Sequence, residues 1–235
     1  TCYINSLIQQ LYHTAFPKLL LVDDNEESKD KIKLLEFKKL FVNLYIGVKS
    51  PVFSYNRFKG SNPVAQVEMS STGEVACIGH DILETFYMSW LATGQKINAK
   101  RVLLSLDDKF KVKLLPIIKS LFNNGWKFIA TEGTHDFLVT HGVQSRCVFK
   151  ISGQIEPNIQ DAIVKHEVDL IVNLPRDMFT STHNSDGFAI RRLAIDYHIP
   201  LITNFHLAEM LLESLLLHYD QPIALKSYNQ YLVKN

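Results

Sequence analysis

Residues 101–134, RVLLSLDDKFKVKLLPIIKSLFNNGWKFIATEGT, pass from a short strand pattern to a helix pattern and back to a strand, and this alternation decides the fold. Arg101 to Leu106 is a compact run of leucine and valine. Lys111 to Asn124 then carries apolar residues at Val112, Leu115, Ile118 and Phe122, the spacing of one helix face. Trp126 to Thr131 reads as a second strand, and a helix is predicted over His135 to His141. The same unit recurs as Arg146 to Lys150 then Asn158 to Lys165, Leu170 to Leu174 then Phe188 to Tyr197, and Leu201 to Thr203 then His206 to His218. Strands separated by helices of about 10–15 residues require right-handed crossovers and a parallel sheet covered on both faces. The uninterrupted apolar Leu170-Ile171-Val172 agrees, because a strand buried on both sides need not alternate. The predicted fold class is therefore α/β, a doubly wound five-stranded parallel sheet, whose ligands sit at the carboxyl ends of the strands.

Upstream of this block a helix is expected from Asp81 to about Thr93, ending at Gly94. From Tyr45 to Gly79, short apolar runs are punctuated by Pro51, Gly60, Pro63, Gly73 and Gly79, as strands joined by turns would be. In the first 50 residues a charged stretch, Asp23 to Lys33, separates apolar pieces, and Leu34 to Tyr45 fits helix or strand. The chain starts at Thr1 with no signal-peptide pattern behind it, so a processed or excised fragment is expected.

Composition narrows the function classes. Lys+Arg 25 against Asp+Glu 24 leaves a formal charge of +1, without the global basic field that nucleic acid or an anionic membrane would need. An anion must be caught locally. The longest apolar runs fall short of the roughly 18 residues of a membrane span. Three cysteines, Cys2, Cys77 and Cys147, fit neither a disulfide framework nor a zinc site, and a reducing, cytoplasmic compartment is expected. Nine histidines show no metal-ligand spacing, so no metal is expected in this chain.

The strand ends present Ser105, Thr131, Lys150, Asn173 and Asn204, all polar residues closing apolar runs. In Thr131-Glu132-Gly133-Thr134 two hydroxyls and a glycine stand between a strand and the next helix. Free backbone N–H groups and the positive end of the helix dipole favour an anion there. Thr134 can equally be the N-cap of a helix beginning at His135. Lys111 and Lys150, each ordinary as a surface group, would add charge to a phosphate if they share one rim. Of the pair Arg191-Arg192, one guanidinium could face a ligand and at least one reads as helix surface. Dinucleotide and P-loop glycine motifs are both absent.

Two further stretches carry a family likeness. Pro51-Val52-Phe53-Ser54-Tyr55-Asn56-Arg57-Phe58 with Asn62-Pro63, then Glu68-Met69-Ser70-Ser71-Thr72-Gly73-Glu74-Val75, resembles the close of the second ATP-grasp unit in carbamoyl phosphate synthase large chains. The chain from about Lys100 to its end is similar to their C-terminal allosteric domain, which has a methylglyoxal-synthase-like fold. The likeness divides the chain into an ATP-grasp remnant with linker, residues 1–98, and an allosteric domain, residues 99–235. It implies a regulatory region of a ligase serving pyrimidine or arginine synthesis, non-catalytic by itself. ATP and Mg or Mn would belong to the missing catalytic core. The implied partners are the rest of the synthase chain, its glutaminase partner and a small phosphorylated effector of the UMP, IMP or PRPP class, with no nucleic acid and no membrane.

By the same resemblance, Ser105, Lys111, Thr131, Thr134, Lys150 and Asn173 match the phosphate-holding positions of bacterial-type members, with Gly133 between the threonines. Asn173-Leu174-Pro175-Arg176 is similar instead to animal-type members, which adds Arg176 to the expected site. Lys150 stands where animal-type members, including the acetylglutamate-dependent ones, carry tryptophan. UMP is therefore the expected effector. Two alternatives belong to other classes: a methylglyoxal-synthase-type lyase acting on dihydroxyacetone phosphate, and a structural oligomerisation module. The lyase would need an aspartate base near Asn158, where a carboxamide cannot abstract a proton, although His183 aligns with a histidine of the synthases.

Overall fold

The computed structural model describes residues 46–55, 72–153, 155–175, 186–223 and 226, all within one compact unit spanning residues 45–226. Strands β1 (Ile46–Val52) and β2 (Gly73–Gly79) form an antiparallel hairpin ladder, and helix α1 (Ile82–Ala92) comes next. Asp81 caps α1 by accepting from the Glu84 N–H at 2.8 Å, and Gly94 leaves it with φ +88°, a left-handed turn that suits glycine. The expected helix from Asp81 to Thr93 thus stands.

Five parallel strands then alternate with five helices: β3 (Arg101–Leu106), α2 (Asp108–Asn123), β4 (Lys127–Thr131), α3 (Glu132–Thr140), β5 (Ser145–Val148), α4 (Ile159–Val164), β6 (Leu170–Leu174), α5 (Asp186–Asp196), β7 (Leu201–Ile202) and α6 (Phe205–His218). The sheet order is β5-β4-β3-β6-β7. The chain winds outward from β3 in one direction through β4 and β5, and in the other through β6 and β7. The order reverses between β3 and β6, so a crevice opens at the carboxyl ends of these strands.

Alternate residues of the central strands enter two cores. Val102, Leu104, Leu170 and Val172 join the core under α1, α2, α3 and α6, whereas Leu103, Ile129 and Ile171 join the one under α4 and α5. This is the doubly wound, five-stranded α/β sheet that the strand–helix alternation implies. The hairpin side is not separate from it. Phe86, Tyr87 and Trp90 of α1 are buried in the same core as Trp126 and Leu211. Ser214 of α6 donates to the Leu83 carbonyl at 3.0 Å, and Ser89 donates to Ser50 at 2.6 Å. Helix α1, upstream of residue 98, thus packs into the same core as the sheet.

Several element ends differ from their expected places. Helix α3 starts at Glu132, three residues before His135, because Thr131 already has the extended backbone of a cap. Helix α2 starts at Asp108, where Asp107 accepts from the Lys109 N–H at 3.2 Å. Strand β5 ends at Val148, since beyond it only Phe149 bridges to Asn158. The motif residues Glu68 to Ser71, like Arg176 and His183, lie outside the described residues. No helix among the described residues is long and apolar enough to cross a membrane.

Candidate functional site

The crevice between β3 and β6 is a cavity of about 410 Å³, lined among others by Ser105, Lys111, Thr131, Gly133, Thr134, Lys150 and Asn173. Strand register brings these together. Ser105 stands directly beside Asn173, and Leu104 beside Ala130, so Thr131 comes at the same level on the next strand. Arg176 lies outside the described residues, and Asn204, also a strand-end residue, does not line the cavity. Its side chain instead accepts from the Leu207 N–H at 3.2 Å and caps α6.

Thr134 is 1% exposed and sits inside the first turn of α3 rather than capping it, which corrects the N-cap reading. Its hydroxyl accepts from the Leu106 N–H at 3.2 Å and lies 3.4 Å from the Leu106 carbonyl, to which it can donate. Thr131 is the true N-cap but makes no side-chain capping bond; its hydroxyl points to that of Thr134 at 3.3 Å. The N-terminal N–H groups of α3 are thus not capped by a side chain of Thr131, and they open beside the cavity.

Lys111 is 7% exposed although it is charged. Its Nζ donates to the Gly133 carbonyl and to Asp108 Oδ1, both at 2.6 Å, while the Asp108 side chain is 94% exposed. An ammonium has three N–H donors, so one remains for a ligand in the cavity that Lys111 lines. A Cβ at Gly133 would stand 3.5 Å from Nζ, an ordinary contact distance, so this bond does not itself require a glycine there. Lys150 is exposed at the rim, beyond the end of β5.

Several lining residues were not singled out from the sequence. Asp107, Glu132 and Asp186 bring carboxylates to the cavity wall, and Ile159 and Ile190 bring apolar surface. Asp186 accepts from both the N–H and the hydroxyl of Ser152, at 3.0 and 2.9 Å, and so ties the loop after β5 to the start of α5. Asn158 caps α4 in a reciprocal box with Asp161, each accepting the other's N–H at 3.0 Å. Its carboxamide is a helix cap in the place where a lyase would need its base. Among the described residues no group of three or more His, Cys, Asp or Glu is arranged to hold a metal.

Residues 113–203 match the MGS-like domain family. The chain is 40% identical over 180 residues to Multifunctional protein URA2 of Saccharomyces cerevisiae, covering 73% of this chain and 8% of that protein. It is 36% identical over 174 residues to mitochondrial carbamoyl-phosphate synthase [ammonia] of Homo sapiens, covering 72% of this chain and 12% of that protein. The chain therefore spans only about a tenth of the length of these curated relatives. A crystal structure of methylglyoxal synthase from Elizabethkingia anophelis overlays with a TM-score of 0.39 at 20% identity, covering 57% of this chain and 91% of that one.

Proposed function

We infer that this chain, a relative of the carbamoyl phosphate synthases with an MGS-like domain, is the regulatory C-terminal region of such an enzyme and that its cavity binds a phosphorylated effector. The observation that carries the reading is Lys111: a buried ammonium held against the first turn of α3, with a donor left over, at the point where the strand order reverses. A phosphate seated there would meet that cation, the free N–H groups of α3 and the hydroxyls of Thr131 and Ser105. UMP is the first choice, with IMP and PRPP in the same class, because Lys150 puts a second cation on the rim. The carboxylates of Asp107, Glu132 and Asp186 would face hydroxyl or N–H donors of the ligand rather than its phosphate.

In this reading residues 1–98 are the remnant of an ATP-grasp unit. The catalytic core, with its ATP and Mg or Mn, and the glutaminase partner belong to the rest of a cytoplasmic synthase. The chain alone makes no carbamoyl phosphate. The capping role of Asn158 favours this reading over a lyase, since a carboxamide engaged as a helix cap cannot serve as the proton-abstracting base. Calorimetric titration of the chain with UMP, IMP, PRPP and acetylglutamate tests the proposal. Saturable binding of a phosphorylated compound, UMP first, is expected; binding of acetylglutamate with none of the other three would overturn it.

A further inference from the structure

Arg191 is fully buried, 0% exposed, on the face of α5 that also buries Ile190 and Ala194. Burial lowers its guanidinium pKa, yet an arginine stays protonated in a protein, so a full positive charge lies behind the cavity wall. Its Nη1 donates to Asn173 Oδ1 at 3.2 Å. Asn173 is itself 1% exposed and lines the cavity. Because a guanidinium only donates, the amide must turn its oxygen to Arg191, which leaves the two N–H donors of Nδ2 for the cavity.

Gly187, one turn before Arg191, also lines the cavity. A Cβ there would lie 3.1 Å from Arg191 Nη1 and 4.0 Å from Asn173 Oδ1. The glycine therefore supplies room for the guanidinium.

We propose that Arg191 is a positioning residue of the effector site, fixing the Asn173 amide so that its N–H donors face an anionic ligand, with Gly187 keeping the space that this requires. The proposal rests on the phosphate-binding reading of the same cavity. Without the tie the amide can rotate and present its oxygen to the phosphate, replacing attraction by repulsion. Lysine cannot restore it, because a single ammonium on a flexible stem lacks the planar fork that holds the amide in one orientation.

The experiment is a double-mutant cycle on the full chain, with UMP and inorganic phosphate titrated calorimetrically into the wild type, Asn173→Ala, Arg191→Lys, Gly187→Ala and the combinations with Asn173→Ala. Each single change is expected to weaken phosphate binding by about tenfold, the loss of one charge-assisted hydrogen bond. Arg191→Lys and Gly187→Ala should weaken it no further once Asn173 is alanine. Gly187→Ala keeps the buried charge and carries the cycle if Arg191→Lys does not fold. Losses that simply add in the Asn173→Ala background, or unchanged affinity in Gly187→Ala, would overturn the positioning role while leaving the phosphate site in place. A wild type that binds neither UMP nor inorganic phosphate would overturn both.

Discussion

On the side of β3 and β4, the cavity wall is tied by buried side chains: Thr134 holds both polar groups of Leu106, and Lys111 grips the Gly133 carbonyl. On the side of β5 and β6, the contact that spans the rim, Ser152 to Asp186, is exposed, and Lys150 stands in water. A hydrogen bond out of water holds its geometry, because losing it leaves an unsatisfied group, whereas an exposed one exchanges with solvent at little cost. The first wall is therefore prepared for a group of fixed shape, such as a phosphate. The second can differ in detail, and with it the identity of the rest of the ligand.

The sharpest way to break this contrast is Thr134→Val, which keeps the volume and removes the hydroxyl. Stability should fall by about 1–3 kcal/mol, read from the urea midpoint, since the Leu106 main chain loses its partner. Thr134→Ser should recover most of it. A loss below about 0.5 kcal/mol would mean that the wall is not held by this bond.

Lys111→Met comes next and separates affinity from folding. UMP binding should weaken by roughly ten- to thirtyfold in calorimetry. The melting temperature should move little, because both partners left behind, the 94% exposed Asp108 carboxylate and the carbonyl of the exposed Gly133, can turn to water. Lys150→Ala, on the exposed side, should weaken UMP by only about three- to tenfold, an effect that shrinks as salt rises from about 50 to about 300 mM, since water and ions screen that charge. An equal, salt-independent loss at both lysines would erase the distinction between the two walls. The smallest effect is expected at Ser152→Ala: within about 0.5 kcal/mol in stability and within about threefold in affinity for UMP. A larger change would show that the exposed tie to Asp186 shapes the site as firmly as the buried one.

Much of the fold was legible because strand and helix periods differ so clearly in this half of the chain. Arg101–Leu106 and Leu170–Leu174 fall where the apolar runs place them, and Asn158 and Lys165 bracket α4 as its N-cap and C-cap. The polar strand ends Ser105, Thr131 and Asn173 were readable for the same reason: a polar residue closing an apolar run marks where a buried strand reaches the surface. The helix starts were less legible. Thr131 and Thr134 are both good capping residues, and only the extended backbone at Thr131 decides between them. Arg191 was readable in principle, since residues 187, 190, 191 and 194 share one helix face. A sequence does not say which of two adjacent arginines is buried when both could be solvated.

By itself the sequence determined the alternation of strands and helices, and with it the parallel sheet and the edge where its polar strand ends gather, because hydrophobic periodicity is a local property of neighbouring residues. The tertiary structure alone decided that α1 completes the core beside Trp126 and that Thr134 bonds Leu106 across 28 positions. It also decided that Arg191 meets Asn173. These contacts depend on the order β5-β4-β3-β6-β7, which brings distant strand ends side by side. The energetic cost of leaving a buried polar group unpaired then selects which side chains meet there.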